Sequence, residues 1–396
     1  MIILGSRKIE FRNTSSRSER EVVRITATQS RPPPLRAQEA YLYQGGTPPE
    51  GYRWYITSES TPIPDNIVGQ PLIIVPDEFE YLADGDVVRI VPTRNELRAI
   101  YRRSSSHNSF LITERCNHYC LMCSQPPRNV DDDWIYDEIM AALPLIDPET
   151  SYLCFSGGEP TVIGDRFLNL VQASKAYLPR TALMVLTNGR AFSDDRFASA
   201  LGRIEHPDLM LGIPLYSDLS NIHDYVVQSD GAYDETIRGI INLKRHGVPV
   251  ELRVVLHKQT IPRLPHLAEF ITRNLLFADH IALMGLEMTG FTKANLEQLW
   301  IDPADYKAEL KEAVGILDRA RMRVSVYNAQ LCLTDPSIWQ FTRRSISDWK
   351  QEYMTECDGC SVKEQCAGFF ASATFRYSDR ISPIHEECDV EPVALS

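Results

Sequence analysis

The sequence predicts an α/β fold in which a parallel sheet with outer helices lies between two smaller modules. From about residue 107, apolar stretches of strand length alternate with amphipathic stretches of helical period. Six such repeats imply a parallel sheet with its helices on one face. Strand composition dominates before that point, whereas cysteines accumulate after residue 327. We therefore predict a β-rich module at 1–106, an α/β unit at 107–327 and a cysteine-rich module at 328–396.

The elements of the central unit follow from hydrophobic periodicity. Whether the sheet closes into a barrel does not follow from periodicity. The candidate strands are 109–113, 151–155, 182–187, 208–214, 250–256 and 280–284, and the clearest helices are 167–177, 233–245 and 264–276.

The N-terminal module has strand composition interrupted by Pro- and Gly-containing turns. No residues of this module are spaced like those of a catalytic motif, so we expect a structural or substrate-docking role. Residues 1–36 are basic, which indicates a solvated segment or, less simply, a docking surface for an acidic peptide. The candidate strands are 22–26, 52–57, 71–75 and 86–91.

Composition excludes several classes of function. The 396-residue chain has a net charge of −12, which argues against non-specific binding to nucleic acid. No apolar run has the length of a membrane span, and the N-terminus lacks the pattern of a signal peptide. Most of the nine cysteines fall in two groups, which favours metal binding over disulfides in a reducing compartment. We expect a cytoplasmic protein without a membrane or nucleic-acid partner.

The first cysteine group, Cys116, Cys120 and Cys123, lies within eight residues directly after the first strand of the central unit. One loop with this spacing can wrap around a single inorganic centre. A structural zinc site or an electron-transfer cluster normally has four ligands, and here no fourth cysteine lies nearby. Three thiolates on a four-iron cluster leave one iron open for chemistry. Zinc or a set of regulatory thiols is the alternative.

Two further loops follow the next two strands. Gly157, Gly158, Glu159 and Pro160 follow the second strand, where the glycines would let the backbone approach a ligand and the glutamate could accept from an ammonium group. Asn188 follows the third strand in a Thr-Asn-Gly turn. Ligands of parallel sheets bind beyond the carboxyl ends of the strands, where these loops would meet.

The second cysteine group comprises Cys357, Cys360 and Cys366, with Cys332 upstream and Cys388 downstream. Four of these cysteines are enough for a closed metal site, and a structural zinc is a serious alternative to iron and sulfur. Cys388 could replace Cys332 or stay free.

Other candidate residues have ordinary structural explanations. We expect Cys154, in the middle of a strand, to belong to the hydrophobic core. The carboxylates at 131–133 precede a helix and suit its N-terminus. No Ser/His/Asp arrangement or phosphate-binding loop is present, and the sequence names no catalytic hydrogen donor.

The Cys-x3-Cys-x2-Cys loop and the Gly-Gly-Glu-Pro segment resemble the signature of the radical S-adenosylmethionine (SAM) superfamily. This resemblance implies a partial (β/α)6 barrel in which a 4Fe–4S cluster binds SAM and cleaves it reductively to a radical that removes hydrogen from a substrate. It implies that Gly157–Pro160 contact the SAM amine and that Asn188 approaches the ribose or carboxylate. It also places Met122, Tyr216 and Arg253 near SAM, although for Arg253 a structural ion pair is an equal alternative.

The C-terminal cysteines resemble the SPASM and twitch extensions of peptide-modifying radical SAM enzymes. The number of cysteines implies one auxiliary 4Fe–4S cluster, most simply through Cys332, Cys357, Cys360 and Cys366.

The chain also resembles the HxsC-type radical SAM maturase of the His-Xaa-Ser system. The resemblance lies in three local strings, at 123–127, 85–88 and 345–349 with 357–361. This resemblance implies a precursor peptide with His-Xaa-Ser repeats as substrate, a second radical SAM maturase as partner and a low-potential electron donor. The alternatives are a radical SAM enzyme acting on a small molecule or RNA, and a non-enzymatic iron–sulfur or zinc scaffold.

Overall fold

The computed structural model describes residues 4–14, 20–344 and 351–385, which contain two eight-stranded sheets. No helix among these residues is both long and apolar enough to cross a membrane. The strands are β1 (Gly5–Ser6), β2 (Glu10–Arg12), β3 (Glu21–Thr26), β4 (Ala40–Leu42), β5 (Trp54–Ser58), β6 (Leu72–Val75), β7 (Val87–Val91), β8 (Glu96–Tyr101), β9 (Asn108–Leu111), β10 (Tyr152–Ser156), β11 (Ala182–Leu186), β12 (Leu209–Pro214), β13 (Val250–Leu256), β14 (His280–Gly285), β15 (Val324–Tyr327) and β16 (Thr342–Arg343). The helices are α1 (Pro33–Arg36), α2 (Asp65–Val68), α3 (Trp134–Ala142), α4 (Asp165–Tyr177), α5 (Asp195–Gly202), α6 (Ser220–Val227), α7 (Ala232–Arg245), α8 (Leu264–Asn274), α9 (Phe291–Ala294), α10 (Leu296–Leu299) and α11 (Lys307–Arg319).

The second sheet contains β9 to β16 in sequential order, and every neighbouring pair is parallel. The six predicted strands and the three predicted helices of the central unit are present, so the predicted α/β fold class is confirmed. Two strands that the sequence analysis did not identify, β15 and β16, continue the sheet. Because β16 begins at Thr342, the parallel sheet extends beyond residue 327.

The hydrophobic core of this unit lies between the outer face of the sheet and the helices. Leu153, Phe155, Leu252 and Val254 pack there against residues of α3, α4, α7 and α8. Side chains at alternate positions of the same strands point to the opposite, inner face. As predicted, Cys154 is among the buried hydrophobic residues. Its place between Leu153 and Phe155 turns its side chain to the inner face of the sheet.

An electrostatic interaction between inner-face residues on distant strands indicates that the sheet is curled. The thiol of Cys154 on β10 lies within electrostatic range of Arg253 on β13. These two strands are three positions apart in the sheet. In a flat sheet that spacing is roughly 14 Å between backbones, so curvature brings the two inner-face side chains together.

The first sheet is mixed, with β3 to β6 parallel and the remaining pairs antiparallel. The strands predicted at 22–26, 52–57, 71–75 and 86–91 correspond to β3, β5, β6 and β7. Trp54 and Ile56 are fully buried in its core. The sheet therefore has a hydrophobic core of its own.

A buried charged contact joins the first sheet to helix α3. The guanidinium of Arg89 on β7 donates to Glu138 at 3.1 Å and also pairs with Glu96. The ring of Trp134 lies 5.1 Å from the same guanidinium. Since Arg89 and Glu138 are both buried, the Glu138 carboxylate depends mainly on this arginine for compensation of its charge.

Replacement of Arg89 by Met should destabilise this contact strongly. Loss of one partner leaves uncompensated buried carboxylates, which costs about 3–5 kcal/mol. Urea unfolding followed by tryptophan fluorescence measures the change. The control is Arg12→Met, which removes an exposed pair with Glu10 and should change the free energy of unfolding by less than about 1 kcal/mol. Equal effects of the two substitutions would contradict the proposed importance of the Arg89 contact.

Candidate functional site

The cysteine loop begins at the carboxyl end of β9 and is held at its start by Asp132. The Asp132 carboxylate accepts from the Thr113 hydroxyl at 2.8 Å and from the Glu114 backbone N–H at 2.5 Å, and it forms an ion pair with the Arg115 guanidinium at 3.0 Å. The prediction that this acidic run caps a helix was wrong: α3 begins at Trp134, and no side chain caps its first turn. Asp132 instead fixes the backbone that leads into Cys116.

The Gly-Gly-Glu segment after β10 packs directly on this loop. The Gly158 N–H donates to the Thr113 carbonyl and the Glu159 N–H to the Arg115 carbonyl, both at 2.8 Å. A Cβ at Gly158 would lie 2.1 Å from the Arg115 oxygen, and one at Gly157, whose φ is +152°, would lie 2.5 Å from the Thr113 oxygen. The glycines are therefore required for contact between two loops, which differs from the predicted reason, close approach to a ligand.

Glu159 is a buried carboxylate that joins the ends of two strands. One oxygen accepts from the Thr161 N–H, the Thr161 hydroxyl and the Thr187 hydroxyl, at 2.6–2.9 Å. The other oxygen accepts from the Asn188 N–H at 2.6 Å. Burial raises the pKa of Glu159, although these hydrogen bonds act against that shift. The second oxygen keeps acceptor capacity for a ligand, because a carboxylate oxygen has two lone pairs.

The Asn188 side chain connects the third loop to the cysteine loop. Its amide nitrogen donates to the Asn117 side chain at 2.6 Å, and the Asn188 backbone carbonyl accepts from the Thr236 hydroxyl. The loops after β9, β10 and β11 thus form one hydrogen-bonded group at the carboxyl edge of the sheet. Sequence reasoning had identified Asn188 but not Asn117.

Met122 and Tyr216 lie together beneath the cysteine loop. Both are buried in an apolar cluster that also contains Leu121, Val226 and Leu299, with Cys120 packed against it. Burial, with the neighbouring Cys120 and Cys123 thiols, raises the pKa of Tyr216. These two residues, which the resemblance placed near SAM, therefore form one apolar surface beside the cysteines.

A second segment, Gly290–Asn295, holds the other side of the cysteine loop and was missed by the sequence analysis. The Phe291 N–H donates to the Cys123 carbonyl at 2.8 Å, and the Asn295 side chain donates to the Leu121 carbonyl at 2.9 Å. A Cβ at Gly290 would lie 2.2 Å from the Cys123 oxygen. Nothing in the Thr-Gly-Phe-Thr string distinguishes it from an ordinary turn, so no sequence signal was available.

The three cysteines of the loop have the donor chemistry that an iron–sulfur cluster requires. Burial raises the pKa of Cys116 to about 11 and raises the pKa values of Cys120 and Cys123 as well. Metal centres bind thiolates, so binding must release these protons. All three side chains are partly accessible, which leaves the sulfurs open to a cluster.

Arg253 has a partner within its own strand. Its guanidinium donates to Glu251 at 2.8 Å, and Glu251 also accepts from the His280 ring at 2.6 Å. This is the ion-pair alternative that the sequence analysis left open. The arginine lies on the inner face of the sheet.

The C-terminal cysteines converge on one cavity. It encloses about 330 Å³ of empty space, part of which opens to solvent. The Ile384 N–H donates to the Cys360 sulfur at 3.4 Å, a contact that would stabilise a thiolate ligand. Cys388 and the string 345–349 lie outside the described residues. The cysteines that line the cavity are Cys332, Cys357, Cys360 and Cys366.

Within the described parts of the chain, no three His, Cys, Asp or Glu side chains are grouped closely enough to hold a single metal ion.

Comparison with known proteins supports the class of enzyme that the loops indicate. Residues 110–271 match the family model described as the radical SAM superfamily. This segment includes the cysteine loop, the Gly-Gly-Glu-Pro segment and strands β10 to β13. The matched segment is less than half of the chain, so the match concerns this part of the chain alone.

Among individual proteins, Fe-coproporphyrin III synthase from Methanosarcina barkeri is 26% identical over 167 residues, which are 40% of this chain and 39% of that enzyme. Streptococcus suis SuiB bound to S-adenosylmethionine is similar with a TM-score of 0.46 and 18% identity, over 59% of this chain and 53% of SuiB. SuiB bound to the precursor peptide SuiA gives a TM-score of 0.44 and 17% identity, over 56% of this chain and 48% of SuiB. The chain thus spans about half or less of each of these proteins.

Gly158→Ala should lower the iron content of anaerobically reconstituted protein, because a Cβ there displaces the backbone that leads to Cys116. We expect a loss approaching that of a variant lacking one cysteine of the loop. The measurement is iron per chain. Gly69→Ala is the control, since its Cβ would meet no atom within 4 Å. Normal iron content in the Gly158 variant would show that the contact between the two loops is not needed.

Proposed function

We propose that the chain is a radical SAM enzyme that removes hydrogen from a ribosomally made peptide and so modifies it. The observation that carries the proposal is the joining of three loops around Cys116, Cys120 and Cys123 at the carboxyl edge of a parallel sheet. A purely structural metal site needs no such arrangement of a buried glutamate beside three cysteines.

The residues of this edge fit SAM and a cluster in distinct ways. Cys116, Cys120 and Cys123 would bind three irons, and the fourth iron would be left to SAM. When bound, the cluster would supply the electron for reductive cleavage of SAM, which yields the radical that takes hydrogen from the substrate.

The surrounding loops would orient SAM. The free lone pair of Glu159, with the backbone of Gly157 to Pro160, would accept from the SAM amine. Asn188 lies beside the cysteine loop, where it would approach the ribose or carboxylate. Met122 and Tyr216 offer an apolar surface for the adenine and exclude water from it.

We assign the C-terminal cavity to one auxiliary 4Fe–4S cluster. Four cysteines line it, and four thiolates leave no iron open, so this centre would carry electrons or support the fold rather than bind SAM. A Cys₄ zinc site is the alternative for the same cavity. Metal analysis separates the two.

The substrate class rests on the resemblance to the HxsC-type maturase. Under that assignment the substrate is a precursor with His-Xaa-Ser repeats, a second radical SAM maturase acts in the same pathway, and a low-potential donor supplies electrons. The alternative is a radical SAM enzyme acting on a small molecule. Production of 5′-deoxyadenosine that increases on addition of a His-Xaa-Ser peptide, together with a mass change in that peptide, distinguishes the two functions.

Anaerobically prepared protein should contain about eight irons per chain and should form 5′-deoxyadenosine from SAM in the presence of dithionite. About four irons with zinc present would make the C-terminal site structural. Absence of iron, or of SAM cleavage, would refute the assignment of the cysteine loop.

Cys120→Ala should abolish formation of 5′-deoxyadenosine, because a cluster with two protein ligands is not held in place. Circular dichroism should stay unchanged, since the loop lies at the edge of the fold. Cys154→Ala is the matched control: it removes a cysteine that is not a proposed ligand. Comparable SAM cleavage by Cys120→Ala and wild type would exclude Cys120 as a ligand.

Cys360→Ala tests the auxiliary site separately. We expect some uncoupled SAM cleavage to persist while modified peptide is lost, because the first cluster keeps all its ligands. Iron content should fall by about four per chain. Full turnover by this variant would refute a role for the second cluster in the reaction.

A further inference from the structure

Four polar side chains form a connected network on the inner face of the curled sheet, which the helices do not cover. Glu251 accepts from Arg253 at 2.8 Å and from the His280 Nδ1 at 2.6 Å, and the His280 Nε2 lies 2.9 Å from the Ser325 hydroxyl. We call Glu251, Arg253, His280 and Ser325 the inner-face network. Burial alone would raise the pKa of Glu251, but the hydrogen bond from His280 and the charge of Arg253 lower it below its ordinary value.

The space in front of this network is accessible. The Arg253 side chain is 19% exposed although it lies in the middle of a seven-residue strand. Neighbouring inner-face side chains, Met184, Met210 and Met284, are partly exposed as well. The inner face therefore borders an open and mostly apolar space. The network supplies charge and strong hydrogen-bond donors to that space.

A glycine on the adjacent strand determines how Arg253 lies. Gly212 on β12 pairs in register with Glu251 on β13. On the inner face of the sheet, this pair lies one position closer to the amino ends of the strands than Arg253. A Cβ at Gly212 would lie 2.9 Å from the Arg253 Cδ and 3.0 Å from a Leu186 methyl carbon. The arginine therefore extends across β12 only because residue 212 has no side chain. Its ion pair draws the guanidinium away from the carboxyl edge, where the cysteine loop lies.

The guanidinium keeps donors for a ligand. Of its five N–H groups, within the described residues one donates to Glu251, and another contacts the Met284 sulfur at 3.1 Å, a weak acceptor. Arg253 and Glu251 neutralise each other, so the pair has no excess positive charge to offer an anion. A neutral acceptor oxygen suits such a group better than a carboxylate, which would bring an uncompensated charge into a partly buried space.

We propose that the inner-face network is a substrate subsite in which Arg253, oriented by Glu251 and Gly212, donates hydrogen bonds to an amide carbonyl of the peptide. This proposal rests on the peptide substrate of the proposed function. It assigns Arg253 to the substrate rather than to SAM. Glu251 and Gly212 are positioning residues, because they act through the arginine.

The test uses the full chain, reconstituted anaerobically, with a synthetic peptide containing His-Xaa-Ser repeats as probe. For Arg253→Gln we expect peptide-independent formation of 5′-deoxyadenosine within about twofold of wild type. The KM for the peptide should rise about tenfold or more, the effect of losing a hydrogen bond from a charged donor. Gly212→Ala retains the charge of Arg253 but displaces its side chain, so it should raise the same KM while SAM cleavage persists.

Lys244→Gln is the matched control, because it removes a partly buried ion pair with Asp279 and should leave the peptide KM unchanged. Loss of peptide-independent SAM cleavage in Arg253→Gln, with weaker SAM binding, would overturn the subsite and assign the arginine to SAM. An unchanged peptide KM in both Arg253→Gln and Gly212→Ala would overturn it too.

The subsite and the proposed function fail in different ways. If wild-type protein cleaves SAM but neither binds nor modifies the peptide, the assigned substrate class is wrong. The proposed peptide subsite is then wrong as well. If wild-type protein modifies the peptide and the Arg253 and Gly212 variants do so with the same KM, only the subsite is wrong. If the substitutions raise the KM only for peptides that retain their acidic side chains, the group that Arg253 binds is a carboxylate and not an amide carbonyl. That result would overturn the present assignment.

Discussion

The buried carboxylate of Glu159 is the interaction on which the arrangement of the site depends. It accepts four hydrogen bonds, which come from its own loop and from the turn after the next strand. Its backbone N–H meanwhile binds the start of the cysteine loop. A group with this many partners fixes three loops relative to one another. Removing it would leave several buried donors without acceptors, at a cost of about 1–3 kcal/mol each.

The sequence was most informative where chemistry requires particular residue types in a fixed spacing. Cys116, Cys120 and Cys123 could be recognised because three thiolates on one loop have few structural uses. The strands β9 to β14 could be placed because their apolar runs alternate with helical periods. Short elements such as β16, with two residues, have no period from which to be recognised.

What the sequence could not reveal were contacts between distant segments. Asp132 looked like a helix-capping residue, since composition before a helix does not distinguish capping from contact with another loop. Cys154 was correctly predicted to be buried, but its apolar neighbours did not show that its side chain lies on the inner face of the sheet. Gly157 and Gly158 were predicted to allow close approach of a ligand, but the atoms that require them belong to residues 113–115. In each case the missing information was which segment lies opposite.

The contact of Gly290–Asn295 with the cysteine loop has a consequence for the order of assembly. Two side-chain hydrogen bonds from this segment reach residues that precede it by 170 and 174 positions in the chain. During synthesis the cysteines leave the ribosome long before the segment that supports their carbonyls. The loop therefore gains its final shape only after β14 has joined the sheet. The cluster proposed for Cys116, Cys120 and Cys123 would consequently enter the formed site late, after folding of most of the α/β unit.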